Sequence, residues 1–527
     1  MKRLGSASVV ALLFVFAIQS VASATSLALP PAASVDSISP TELRMHLEFL
    51  ASPEVGGRYT LSPGLNIAAR YLASRLESYG YHGASANGSF MQPYDVVSSR
   101  VDTARTTLSL TIDGKERSVE YGDFASFSDS SGDAAGPIVF VGYGISSPSQ
   151  KHDDYVGLDV KGKIVLYASG VPSGVDSSKI KDDEKGSGAA RAHGAVGTIA
   201  LPQPRYAAFM KGPQFKEYLK NRENISLKNQ GGDELPGVFV MPSVADELLA
   251  PLGLSLDKVF STAKEGGVLA PATTTSHAKF SITVTSSTAS AQNVAGVLEG
   301  SDPVLKNEYV VLSAHYDHLK TNAKGEIYPG ADDDGSGTAA VLTLARAFSL
   351  QRPKRSILVM FHSGEELGLL GSEYNTDVAP VIPLDKLVVD LNIDMIGRSR
   401  AAGDENPRNK ELTDANSIYL IGADKLSKEL NSISEQTNDD TVKMRIDYTY
   451  NDPNHPDQFY YRSDHWNYAK HGIPVIFYFS GVHQDYHQTS DTVDKIDFDK
   501  MARVSRLVFA TAWRIANLDH RLVVDQR

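Results

Sequence analysis

The 527-residue sequence contains no cysteine. Disulfides, thiolate nucleophiles and every cysteine-ligated zinc or iron–sulfur site are therefore excluded, and any metal must be held by His, Asp and Glu. A basic block is also missing. The 51 Lys and Arg stand against 63 Asp and Glu, a net charge of −12, so neither nucleic acid nor an anionic membrane surface is an expected partner. Long hydrophobic runs are scarce. The apolar stretch from Val9 to Ile18 ends at Gln19 and Ser20, well short of the roughly 20 residues that span a bilayer, so no stable membrane anchor is expected.

What is present is an ordinary globular composition, 42% hydrophobic and 22% charged, in a chain long enough for several domains or one large α/β unit and a smaller companion. Lys2 and Arg3 precede the short apolar run, and Ala22-Ser23-Ala24 supplies a small-x-small cleavage pattern. Residues 1–24 are predicted to be an export signal, with the mature protein in a periplasm or the medium.

The apolar spacing from Leu65 to Tyr79 predicts an amphipathic helix that stops at Gly80. From about Gly136 the texture changes to short Val/Ile runs separated by glycine, which predicts a strand-rich module. Beyond Asn293 strand, loop and helix alternate, with apolar strands at 309–314, 357–361, 387–393 and 475–479. This pattern predicts an α/β fold with a mixed, mostly parallel sheet flanked by helices.

Eight of the 14 histidines fall between His315 and His487. Position relative to the strands matters more than number. His315 and Asp317 follow the first strand, Glu365 and Glu366 the second, Asp394 closes the third, and His487 lies in the loop after the fourth. In an open α/β sheet the carboxyl edge is where ligands collect. Asp332-Asp333-Asp334 stands immediately before a helical run, where any of the three could cap the helix. A two-metal hydrolytic site needs a bridging carboxylate, further His and carboxylate ligands, and an unligated base beside the water. The inventory matches that need, and His-x-Asp at 315–317 suits a carboxylate that orients a ligating imidazole.

These residues resemble peptidase family M28, the co-catalytic zinc aminopeptidases. The likeness rests on Ser313-Ala-His-Tyr-Asp-His318, Gly330-Ala-Asp-Asp-Asp-Gly-Ser-Gly337, Gly364-Glu-Glu-Leu-Gly-Leu-Leu-Gly371, Asn392-Ile-Asp-Met-Ile-Gly397 and Asp485-Tyr-His487. The resemblance implies that His315, Asp333 and Asp394 hold one zinc ion, that Asp333, Glu366 and His487 hold the other, that Glu365 is the general base, and that Asp317 orients His315. Cobalt or manganese could replace zinc on such ligands. Residues 38–130 and 279–527 would form a discontinuous peptidase domain, with a fold like that of zinc peptidases and phosphorylase-hydrolases. Residues 131–278 resemble an inserted protease-associated (PA) domain that would wall or lid the cleft or bind macromolecules, substrate included.

The expected activity is hydrolysis of the amino-terminal bond of peptides with a free amino terminus, and Tyr486 is a candidate hydroxyl donor to the developing oxyanion. Ser463-Asp464-His465 has the composition of a hydrolytic triad, yet such triads are defined by space rather than by adjacency, so none is expected here; the family resemblance implies a supporting role near the site instead. Three other readings belong beside this one. A dipeptide carboxypeptidase would use Arg398 or Arg462 to grip a terminal carboxylate. A glutaminyl cyclase is a further alternative on this scaffold. A non-catalytic binding protein would be expected to lack a ligand or the base, and none is missing.

Overall fold

The computed structural model describes residues 27–203, 206, 210, 215, 218–219, 222–228, 235–264 and 269–525. The predicted export signal, residues 1–24, lies outside the described residues.

Ten strands form the larger sheet: β1 (His82–Gly83), β2 (Met91–Val101), β3 (Asn224–Leu227), β4 (Val284–Leu298), β5 (Tyr309–His315), β6 (Ser356–His362), β7 (Leu387–Ile393), β8 (Ser417–Ile421), β9 (Arg445–Asp447) and β10 (Val475–Phe479). Their spatial order is β3-β2-β4-β6-β5-β7-β10-β8-β9, with β1 paired to β4. The central four, β6-β5-β7-β10, run parallel. Antiparallel pairs flank them, β4 with β6 on one side and β8 with β10 on the other. The parallel arrangement expected from the four apolar runs thus holds at the centre of a mixed sheet. Every residue of β6, β7 and β10 is buried, which explains why these strands read as largely apolar runs rather than alternating ones, with Asp390 and Asn392 the polar exceptions inside β7.

Helices cover both faces. Pro40–Leu50, Pro63–Ser78, Gly335–Leu350 and Phe498–Ala516 pack their apolar residues against Val310, Leu312, Val359 and Leu391 in one core. The predicted helix from Leu65 begins slightly earlier, where the Ser62 side chain accepts from the Leu65 amide and Pro63 occupies the first turn. On the opposite face Tyr468, Ala469 and Ile473 close over Val311, Leu358 and Met360.

A second sheet of eight strands has its own core, built around Leu110, Phe140, Leu166, Ile199 and Phe280. Its extent differs from the expected 131–278. Thr107–Ile112, Lys115–Val119 and Phe124–Ala125, all expected in the first domain, are strands of this second sheet, which continues to Ile282. The reason is continuity. β2 and β4 pair along their length up to Val101 and Val284, and their neighbours Thr107–Ile112 and Ala272–Ile282 pair in turn beyond the neck. At the neck the Asp102 amide donates to the Thr283 carbonyl at 2.8 Å. Conversely β3, expected in the insert, pairs with β2 of the larger sheet. No described helix is long and apolar enough to cross a membrane.

Candidate metal centre

The carboxyl ends of the four parallel strands deliver the predicted residues to one rim. His315 closes β5, and its Nε2 lies 3.4 Å from Asp333 Oδ1, 3.6 Å from Asp394 Oδ1 and 3.9 Å from Glu365 Oε2. His487 Nε2 lies 3.1 Å from Asp333 Oδ2 and 3.1 Å from Glu366 Oε2. The two oxygens of Asp333 thus face two different imidazoles. Tetrahedral zinc with ligand atoms near 2.1 Å places those atoms about 3.4 Å apart, close to these separations. Asp333 Oδ2 and Glu366 Oε1 are buried with no aligned hydrogen-bond donor, as expected of acceptors aimed at a cation. The donor set therefore fits two divalent ions.

The three neighbouring aspartates divide their work. Asp334 Oδ1 accepts from the Gly337 and Met395 amides, so Asp334 caps the helix Gly335–Leu350. Asp332 accepts from the Gly397 amide at 2.6 Å and lies 3.2 Å from His483 Nε2. Asp333 is left facing both imidazoles. Asp334 also clusters with His315 and Asp394, and its Oδ2 has no hydrogen-bond partner, but its Oδ1 is taken up as the cap, and it is Asp333 whose two oxygens face His315 and His487. Gly337 is required here because a Cβ would collide with the Ile393 carbonyl and the Asp334 carboxylate. The absence of a side chain lets the helix start press against the end of β7.

Asp317 touches His315 mainly through its main chain: His315 Nδ1 is 3.2 Å from the Asp317 carbonyl and 3.6 Å from its carboxylate. That carboxylate accepts from Thr60 Oγ1 at 2.7 Å and from the Glu365 amide at 3.3 Å, so it also fixes the loop that carries Glu365. Burial pushes the Glu365 carboxyl well above the usual range; His315 opposes the rise, while Glu366, Asp394 and Asp464 add to it. Tyr486 stacks on the His487 ring with centroids 3.9 Å apart. Met395 and His487 have φ of 58° and 56°, a left-handed backbone that costs a non-glycine residue energy and is held by the surrounding structure.

Several participants carried no sequence signal. Arg58 is fully buried and donates to the carbonyls of Leu50, Tyr316, Pro329 and Gly330 at 2.7–3.0 Å. It ties together the loops bearing Asp317 and Asp333. Asp491 accepts from the Asp332 and Asp333 amides and faces Arg398, which pairs with Asp485 at 2.8 Å. His318, the last residue of the Ser313–His318 motif, has Nδ1 2.8 Å from Glu366 Oε1 and clusters with Asp333 and Glu366. Its place just past a strand was the one available hint. Ser463 donates to Asp394 Oδ2 at 2.7 Å and accepts from Asn392. Asp464 and His465 are buried and form no hydrogen bond with Ser463 or with each other, so the Ser-Asp-His run is not a triad.

Two cavities meet at this rim. A narrow inner cleft is lined by His315, Asp333, Asp394, Met395 and the phenyl groups of Phe459, Phe477 and Phe479. A wider outer cavity is lined by Glu366, Gly368, Leu369, Trp466 and Asn467. Glu365, Arg462 and Tyr486 belong to both.

The model of peptidase family M28 matches residues 293–512. A probable zinc metalloprotease of Pyrenophora tritici-repentis is 30% identical over 42% of this chain and 51% of its own length. Leucine aminopeptidase 2 of Arthroderma otae is 26% identical over 43% of this chain and 45% of its own. The chain thus spans about half the length of these relatives. Among solved structures, the aminopeptidase from Aneurinibacillus sp. strain AM-1 superposes over 94% of this chain and 97% of that one, with a TM-score of 0.55 and 19% identity. This likeness establishes a shared fold.

Proposed function

We propose, for a chain that carries a peptidase family M28 domain at residues 293–512, hydrolysis of the amino-terminal bond of peptides at a centre of two zinc ions. The observation that carries this reading is the two-sided placement of Asp333, one oxygen toward His315 and the other toward His487, with Glu365 facing the same space. His315, Asp333 and Asp394 would hold one ion, and Asp333, Glu366 and His487 the other. Bound ions would supply Lewis-acid polarisation of the scissile carbonyl and a water of lowered pKa.

The chain's own residues account for the proton movements. Glu365 is not needed as a ligand, since the two sets above are complete without it. Its buried carboxylate takes the proton from the attacking water and returns it to the leaving amine. Tyr486 lines the cleft beside Glu365, which supports a role for its hydroxyl as donor to the carbonyl oxygen as charge develops there. Asp317 holds His315 through its carbonyl and the Glu365 loop through its carboxylate. The substrate α-ammonium group enters a cluster rich in carboxylates, with Asp394 and Glu365 in the cleft lining, so a blocked amine fits poorly.

Two features of the rest of the chain support the wider reading. Ile225 and Leu227 of β3, the edge strand of the larger sheet, pack in one cluster with Leu370 and Leu367, just beyond Glu365 and Glu366. Because β3 falls in sequence between strands of the second sheet, this contact brings part of the inserted segment beside the rim and supports a PA-like insert that walls the cleft. The signal pattern at 1–24 supports export to a periplasm or the medium. The test of the chemistry is Glu365→Gln. The variant should bind two zinc ions like the parent while kcat falls by about 10²–10⁴. Loss of an ion would instead make Glu365 a ligand and remove it as the base.

A further inference from the structure

We propose that Arg462 forms a carboxylate subsite on the leaving-residue side of the scissile bond, so that peptides bearing a carboxylate on their second residue are preferred. The inference rests on the peptidase reading above and adds a substrate class to it.

Three observations carry it. First, Arg462 is one of only three residues shared by the inner cleft and the outer cavity; the other two are Glu365 and Tyr486. The bond to be cleaved lies at that junction, beside the base. Second, Arg462 is exposed and has no carboxylate within ion-pair distance among the described residues, while its guanidinium rests 4.4 Å from the centre of the Phe459 ring. Stacking on that ring holds the cation in place without neutralising it. The other cations near the rim are committed. Lys470, also in the outer lining, pairs with Asp377 at 2.6 Å, and Arg398 pairs with Asp485. Third, room decides the side. The inner cleft has about 30 Å³, space for roughly two waters, against about 590 Å³ in the outer cavity. An additional carboxylate therefore fits outward, on the residue that leaves.

The chemistry follows from charge and shape. Apart from Lys470, which is paired with Asp377, the other charged residues of the outer lining are Glu365, Glu366 and Glu373, so a substrate carboxylate is best received at the planar fork of Arg462, which is suited to bidentate pairing. The carboxylate can come from the carboxyl terminus of a dipeptide or from an acidic second side chain.

The experiment compares kcat/KM for Leu-Gly, Leu-Gly-amide and Leu-Asp-amide in the parent, Arg462→Gln and Arg462→Lys. The parent should cleave at least one carboxylate-bearing peptide about tenfold faster than Leu-Gly-amide, mostly through KM. A gain with Leu-Gly assigns the terminal carboxylate, and a gain with Leu-Asp-amide assigns the side chain. In Arg462→Gln the ratio should fall to near one, with Arg462→Lys between. A merely structural role for Arg462 would depress all three peptides alike and leave the ratio unmoved. In the parent the preference should also shrink as ionic strength rises from about 0.05 to about 0.5 M, a readout independent of any variant. Cleavage of all three without preference, or a preference that survives Arg462→Gln, overturns the subsite alone. No cleavage of any of them overturns the peptidase reading and the subsite with it.

Discussion

Replacing Arg58 by methionine removes the one charged side chain that joins the two loops beneath the candidate centre. The guanidinium is fully buried and makes four hydrogen bonds to main-chain carbonyls. A hydrogen bond from a charged donor contributes about 1.5–3 kcal/mol net, and a buried acceptor left unpaired costs about 1–3 kcal/mol. Some of this is recovered. Burial works against the charge of Arg58, lowering its pKa, and methionine would not have to be desolvated as an ion. Two of the four carbonyls lose less: that of Gly330 also accepts from the Gly335 amide, and Pro329 is only half-buried. Taking two lost bonds as irrecoverable gives a destabilisation of about 3 kcal/mol, which for a chain of this size lowers Tm by roughly 3–4 °C. Asp333, Asp334, Asp491 and Asp317 all feel the Arg58 charge. The loss should therefore be larger after chelation, when the carboxylates have no metal to offset their repulsion. Differential scanning calorimetry of Arg58→Met with zinc and with a chelator measures both quantities. A Tm within about 1 °C of the parent, in both states, would refute the reasoning.

Three further predictions concern the centre and the core. His487→Ala removes a proposed ligand and should abolish one of two zinc ions in equilibrium dialysis, whereas His318→Ala, lacking an orienting contact to Glu366, should weaken that ion only about 10–100-fold; equal loss in both would make His318 a ligand. Burial pushes Asp390 up to about 8, so the folded state retains a proton that the unfolded chain has released, and stability falls as pH rises from about 4 to about 8. Asp390→Asn should cancel that slope and raise Tm most above pH 8, and parallel Tm–pH curves for the two proteins would contradict it. Because Glu365 is held well above the ordinary carboxyl range by burial, kcat/KM should decline toward acid pH as the base takes up its proton; an acid limb that persists unchanged in Glu365→Gln would assign it to another group.

The sheet centre and most of the candidate site were legible because one physical rule governs both. Parallel strands buried on two faces are largely apolar, and the His, Asp and Glu residues at or beyond their carboxyl ends are the ones that meet at the rim. The participants that escaped notice act through the main chain. Arg58 finds four carbonyls, Asp491 two amides, and Thr60 one amide and a carboxylate, and none of these partners is written in a side-chain pattern. The boundary of the second sheet was obscured for a different reason. Lys115–Val119 is exposed along most of its length, and a charged edge strand looks like a loop to any search for apolar runs. The three consecutive aspartates left bridging and capping open until their carboxylates could be seen to point in different directions.

The central claim is a metal-dependent attack on the bond next to a free amino terminus, and amino-acid release from an unblocked tripeptide and its N-acetylated copy tests it most directly. Each peptide is assayed with the protein as purified, after chelation, and after zinc is returned. The account predicts release from the unblocked peptide alone, abolished by the chelator and restored by zinc. Equal cleavage of both peptides, or cleavage that survives complete removal of metal, would contradict it.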